Sequence, residues 1–147
     1  MSDHLKGFFA TILAFLLIVA APLRLFIIRD DTVKSLETLE TVALFSEQVR
    51  QEGVITKREL TLLSEYLAKR GYGLDMIHEE KVVEGHIENG IFIKTGSGYY
   101  SHTFSEIEKE SDLKGTYEMK IGDRLYVKAK GKKRNFEQGG LVLNEAS

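Results

Sequence analysis

The sequence predicts an α+β protein with a long N-terminal helix, a short second helix and a small antiparallel β-sheet head. Three observations carry this. Residues 8–28 are apolar except for Thr11 and Arg24. Apolar side chains then recur at three- and four-residue spacings as far as Val49, the pattern of a helix with one buried stripe. From Leu74 onward the period falls towards two, as in strands with one covered face.

The apolar run, about 21 residues, would span roughly 30 Å as a helix, the thickness of a bilayer's hydrocarbon core. Residues 1–29 are therefore expected to be a membrane anchor, with Phe8, Phe15, Leu16, Pro22 and Ile28 inside it. A cleaved signal is the rival, since Val19-Ala20-Ala21 resembles a small-residue cleavage site. Pro22 would follow the cut directly, and the apolar run continues beyond it, so an uncleaved anchor is preferred. Inside a span Pro22 is expected to kink the helix rather than end it. Arg24 lies near the Arg29 end and can snorkel to the headgroups.

Residues 30–71 read as an amphipathic stalk followed by a second helix. Val33, Leu36, Leu39, Val42, Phe45 and Val49 form the stalk's apolar stripe, which is also its candidate assembly surface, and Gly53 ends it. Thr56 and Glu59 make a capping box for the second helix, with Ile55 placed to staple onto Leu60. Leu60, Leu63 and Leu67 are its buried face, and Gly71 its stop.

Residues 72–130 are expected to form the β-sheet head. Asn89-Gly90 marks a two-residue hairpin, Gly96-Ser97-Gly98 a loop, and Ser105 with Glu108 the capping box of a short helix carrying Ile107. Gly122-Asp123 is read as the turn of a closing hairpin with Tyr117, Met119, Leu125 and Val127 on one face. Residues 131–147 show no sustained period and are expected to be mobile.

Composition excludes several function classes. With 20 basic and 22 acidic residues there is no global excess to draw the chain to nucleic acid, and without cysteine there is no disulfide, thiolate metal site or cysteine nucleophile. His78, His86 and His102 lack partners at metal-finger spacing and are read as surface or strand-pairing residues. Lys94-Thr95-Gly96 and Ser111 to Lys114 match fragments of penicillin-recognising motifs in reversed order and without the domain that would hold them. No catalytic residue, metal or cofactor is expected, so the chain is read as non-enzymatic. Arg124, Lys128, Lys130 and Lys132 share one strand face, a basic surface whose commoner cause is the protection of an edge strand.

Taken together, FSEQVRQEGVITKRELTLLSEYLAKRGYGLDMIHEEKV and YSHTFSEIEKESDLKGTYEMKIGDRLYVKAK resemble the small membrane-anchored, pilin-like (TadE-like) subunits of Tad/Flp-type pilus machineries in Gram-positive bacteria. The resemblance covers residues 8–130 and rests on structural patterns. It implies a pilin-like fold and a structural subunit, anchored by a single pass in the cell membrane, with an extracellular head and other pilus or secretion subunits or further copies as partners. Gly7-Phe8 offers the start of a prepilin processing site. Ile12 stands where that site has glutamate, which points to a minor or accessory component. The alternative reading is a single-pass anchored binding or regulatory module. Its head would lie in the cytoplasm, as Lys6 against Arg29 and Lys34 weakly suggests.

Overall fold

The computed structural model describes residues 3–145, so residues 1–2 of the expected anchor and 146–147 of the expected tail lie outside it. Its elements are α1 (Asp3–Glu52), β1 (Val54–Thr56), α2 (Lys57–Lys69), β2 (Tyr72–Glu88), β3 (Ile91–Thr103), α3 (Phe104–Lys114), β4 (Thr116–Glu118), β5 (Arg124–Gly131) and β6 (Asn135–Leu141). The architecture is α+β, as the sequence predicts. Two compact units divide between Glu37 and Thr38, within α1.

The described residues of the first unit are all helix. Pro22 stands inside α1 without ending it. Phe8, Phe15, Leu16 and Ile28 are all exposed, so this stretch has no core of its own. Thr11 and Thr32 each donate a hydroxyl hydrogen bond to the carbonyl four residues back, at 2.9 and 2.8 Å, which leaves neither polar group bare. Among the described residues α1 is the one helix long and apolar enough to cross a membrane.

The second unit is the head. Its four-stranded antiparallel sheet runs β3-β2-β5-β6, and β1 pairs with β4 in a separate two-stranded ladder. On β5 the inward residues Leu125, Val127 and Ala129 are buried while Arg124, Tyr126, Lys128 and Lys130 alternate outward. The inward row joins Val42 and Val49 of α1, Leu60, Leu63 and Leu67 of α2, and Ile107 of α3 in one core.

Local signals place several elements as expected. The Glu59 amide donates to the Thr56 hydroxyl at 3.2 Å and Glu59 accepts from the Thr56 amide at 3.0 Å, so α2 starts with a complete capping box. Asn89 and Gly90 both adopt left-handed backbone, with φ of 52° and 79°, as a tight hairpin between β2 and β3 requires.

Other expectations are corrected. Val54, Ile55 and Thr56 form a short strand before α2, an element not expected from the sequence. Gly96-Ser97-Gly98 is not a loop but lies within β3 opposite Glu84, Val83 and Val82, because its backbone stays extended and the ladder carries it through. The cap of α3 is Thr103 with Glu106, two residues earlier than expected. The Thr103 amide and hydroxyl donate to Glu106 at 2.7 and 3.1 Å, and Ser105 falls inside the helix. The Gly122-Asp123 turn does not join paired strands, since β4 ladders with β1 while β5 ladders with β2 and β6.

The largest correction concerns residues 131–147. β6 pairs with β5 from Asn135 to Leu141, and Val142 is buried. Beyond it, the Leu143 amide donates to Arg50 O at 2.8 Å and Asn144 Nδ2 to Gln51 O at 2.8 Å. These bonds satisfy carbonyls that a helix leaves orphaned at its C-terminus. Gly53, with φ of 70°, is needed there because a Cβ would come within 2.1 Å of Asn144 O.

Candidate functional site

β2 alternates, and the parity that buries Met76 also turns His78 inward. Its ring is 3% exposed. Nδ1 lies 2.7 Å from the Tyr117 hydroxyl on β4, and Nε2 lies 2.9 Å from Asp123 Oδ2 in the turn before β5. Asp123 Oδ1 also accepts the Lys81 amide at 2.9 Å, and Oδ2 the Lys120 amide at 2.8 Å. One buried carboxylate thus fastens β2 to the β4–β5 turn.

The protonation states follow from the partners. Burial lowers the proton affinity of His78 below its ordinary value, against the opposing pull of Asp123. A neutral imidazole fits both bonds: Nε2–H donates to Asp123, and Nδ1 accepts the Tyr117 hydroxyl proton. Burial also pushes the Tyr117 hydroxyl far above its ordinary pKa, keeping it a donor. The order Asp–His–Tyr has the shape of a nucleophile-activating relay. Its electrostatics run the other way, since an activated tyrosine would need a lowered pKa.

Outside this cluster lies an open cleft of about 410 Å³, walled by Glu80, His102, Glu110, Glu118, Lys120 and Glu145 beside the buried three. Glu80 binds Lys120 at 3.0 Å and His102 at 3.2 Å. The Lys120 hydrogen bond, then that from His102, holds the Glu80 carboxyl below its usual range, and the same pair raises Lys120. The rings of His78 and His102 stack at 5.4 Å. Among the described residues no group of three or more histidine or carboxylate side chains is arranged to hold a metal ion.

The residues singled out in the sequence fall elsewhere. Within the stalk stripe, Val42 and Val49 are buried in the head core, Leu39 and Phe45 are half-buried, and Val33 and Leu36 are exposed. Arg124 sits 3.6 Å from Glu79, Lys128 3.2 Å from Glu137, and Lys130 2.5 Å from Asp75, so the outward cations of β5 face carboxylates on the flanking strands. β5 is an inner strand, which removes the edge-protection explanation. Lys132 is exposed in the β5–β6 turn. His86 is exposed in the last turn-proximal stretch of β2, 3.8 Å from Glu88.

Sequence reasoning missed Tyr117 and Asp123 as partners of His78, which lie 39 and 45 residues away from it. One signal was present: His78 shares strand parity with Met76, and a buried histidine needs polar partners. Comparison with protein-family models, with curated proteins and with solved structures gives no match for this chain.

Proposed function

We propose that this chain is a non-enzymatic, membrane-anchored structural subunit of a pilus-like (Tad/Flp-type) or related secretion assembly, with its head outside the cell. One observation carries the reading. A single unbroken helix supplies Val42 and Val49 to the head core and leaves the apolar side chains of residues 8–28, and Val33 and Leu36 after them, uncovered. Lipid covers the first stretch in this reading, and neighbouring subunits cover Val33 and Leu36.

The resemblance of residues 8–130 to TadE-like subunits supports the same reading. The buried His78–Tyr117–Asp123 cluster serves as a structural fastening, because its polar groups are satisfied by one another.

Protease shaving of intact cells, read with an antibody to the head, tests it. The head is cleaved if it lies outside, whereas a head protected until the cells are permeabilised overturns the reading. Leu36→Glu, at an exposed position, is expected to abolish assembly while leaving the head folded. Unchanged assembly would overturn the role given to the exposed stripe. The carboxylate-walled cleft favours a second reading, an anchored binding module, which predicts a protected or monomeric protein in the same experiments.

A further inference from the structure

The sheet is not equally deep along its length. β5 pairs with β2 only between Tyr72 and Glu79, whereas β3 stays paired with β2 up to the Asn89-Gly90 turn. Beyond Glu79 the ladder is therefore a two-stranded arm. Val83, Ile87 and Phe92 lie exposed on one face of it, and Val82, Ile91 and Ile93 on the other. A two-stranded ribbon in water is marginally stable, and a third strand or a covering layer is what ordinarily completes it.

β3 is also an edge strand along its whole length. Edges are usually guarded by charge, proline or shortness. β3 has 13 residues, no proline, and Lys94 as its one residue with a fixed charge. The opposite edge, β6, is shorter at 7 residues and carries Glu137.

The side-chain order of β3 is complementary to itself. Laid antiparallel on its own copy about Ser97, Gly96 meets Gly98, so the two backbones can approach without obstruction. The ladder shifts register between Glu84 and Gly85, where β3 holds an extra residue at Thr95. Beyond that shift Lys94 falls opposite Tyr99 and Ile93 opposite Tyr100. These are a cation beside an aromatic ring and a β-branched residue beside an aromatic one, both favourable cross-strand pairs. No two like charges fall directly opposite one another in this register.

We propose that β3 pairs antiparallel with β3 of a second copy of this chain, across a two-fold axis at Ser97. The two four-stranded sheets then join into one of eight strands, and both edges that lacked protection are removed at once. A lipid surface fits the arm less well. Glu80, Glu84 and Glu88 outnumber Lys81 and Lys94 there, so nothing draws it to anionic headgroups. The inference rests on the sheet edge, and it stands or falls apart from the reading of residues 8–28.

The absence of cysteine makes register directly measurable. Full-length single-cysteine variants in detergent micelles, mildly oxidised, are expected to cross-link at Ser97→Cys alone, and between Ile93→Cys and Tyr100→Cys when mixed. Gln138→Cys on β6 is the negative control. In the Ile93/Tyr100 pair, adding Ser97→Lys to both chains should lower the yield at least tenfold, and Ser97→Lys against Ser97→Glu should restore it. Ser97 is exposed, so neither charge disturbs the fold. Association through α1 alone cannot produce this register dependence. Equal yields at every position, cross-links from β3 to Gln138→Cys, or protection of the arm by phosphatidylcholine vesicles without any β3 cross-link would each overturn the proposal.

Discussion

Residues 8–28 and residues 42–49 are turns of the same helix, α1, with the same backbone and quite different surfaces. The first stretch is apolar apart from Thr11 and Arg24 and exposed throughout, while the second buries Val42, Ser46 and Val49 along one stripe and leaves Leu44, Glu47 and Gln48 outside. A stripe about 100° wide is what a helix needs to cover one core, whereas an apolar cylinder has no polar side to give to water. The contrast separates two solvents along one element. The head core covers the stripe, whereas the first stretch is long and apolar enough to cross a membrane and has no cover within the chain.

The strongest way to break this comparison is to disable the head while leaving residues 8–28 untouched. Asp123→Ala leaves the His78 ring and the Lys81 and Lys120 amides without their shared acceptor. The orphaned His78 donor is buried and costs about 1–3 kcal/mol, and the two part-buried amides add to it, so a loss of about 3 kcal/mol is expected. Pulse proteolysis of the head in micelles measures it. Membrane partitioning of the same variant should equal that of the natural sequence.

A matched pair of truncations sharpens the contrast. Leu67→Ala opens a cavity at a fully buried site and should cost about 2–5 kcal/mol of head stability. Leu17→Ala removes the same atoms from an exposed site in the first stretch and should change head stability by less than about 0.5 kcal/mol. If the two variants lose equal stability, residues 8–28 belong to the head's core after all.

Smaller effects probe the local signals. Thr56→Ala removes the cap of α2 and should cost about 1 kcal/mol by the same assay. The smallest effect at neutral pH belongs to His78, whose titration contributes nothing to pH dependence well above pH 6.5. Below 6.5, its ordinary value, the unfolded chain takes up a proton that the buried ring resists. The unfolded state then binds more protons, so stability falls as the pH drops from 6.5 through the lower folded value. Asp123, Glu80 and His102 are the titratable groups that modulate this ring. His78→Gln should flatten the slope between pH 6.5 and 5, measured by denaturation at each pH.

Residues whose signals are local were legible in the sequence. The Thr56 and Glu59 box, the Leu60, Leu63 and Leu67 face, and the Asn89-Gly90 turn each depend on neighbours within a few positions, and all stand where the sequence put them. The residues that were misread depend on distant ones. NFEQGGL has no strand period, and becomes β6 because β5 offers it a ladder. Gly96-Ser97-Gly98 has loop composition, yet its strand state is imposed by β2. Asp123 looked like an ordinary turn residue, and its task is defined by His78, 45 positions earlier. His78 has no local partner that distinguishes it from a surface histidine, because Tyr117 and Asp123 reach it only through the fold.

The Asn144 bond to the end of α1 joins positions 93 residues apart. A ribosome adds roughly 5–20 residues per second, so the last turn of α1 emerges on the order of 10 s before the residues that finish it. Late in that interval β5 has emerged and still lacks its outer neighbour, β6. Just before synthesis ends, the nascent head therefore has an open sheet edge and an unfinished helix end. The last residues made complete an element that was among the first made.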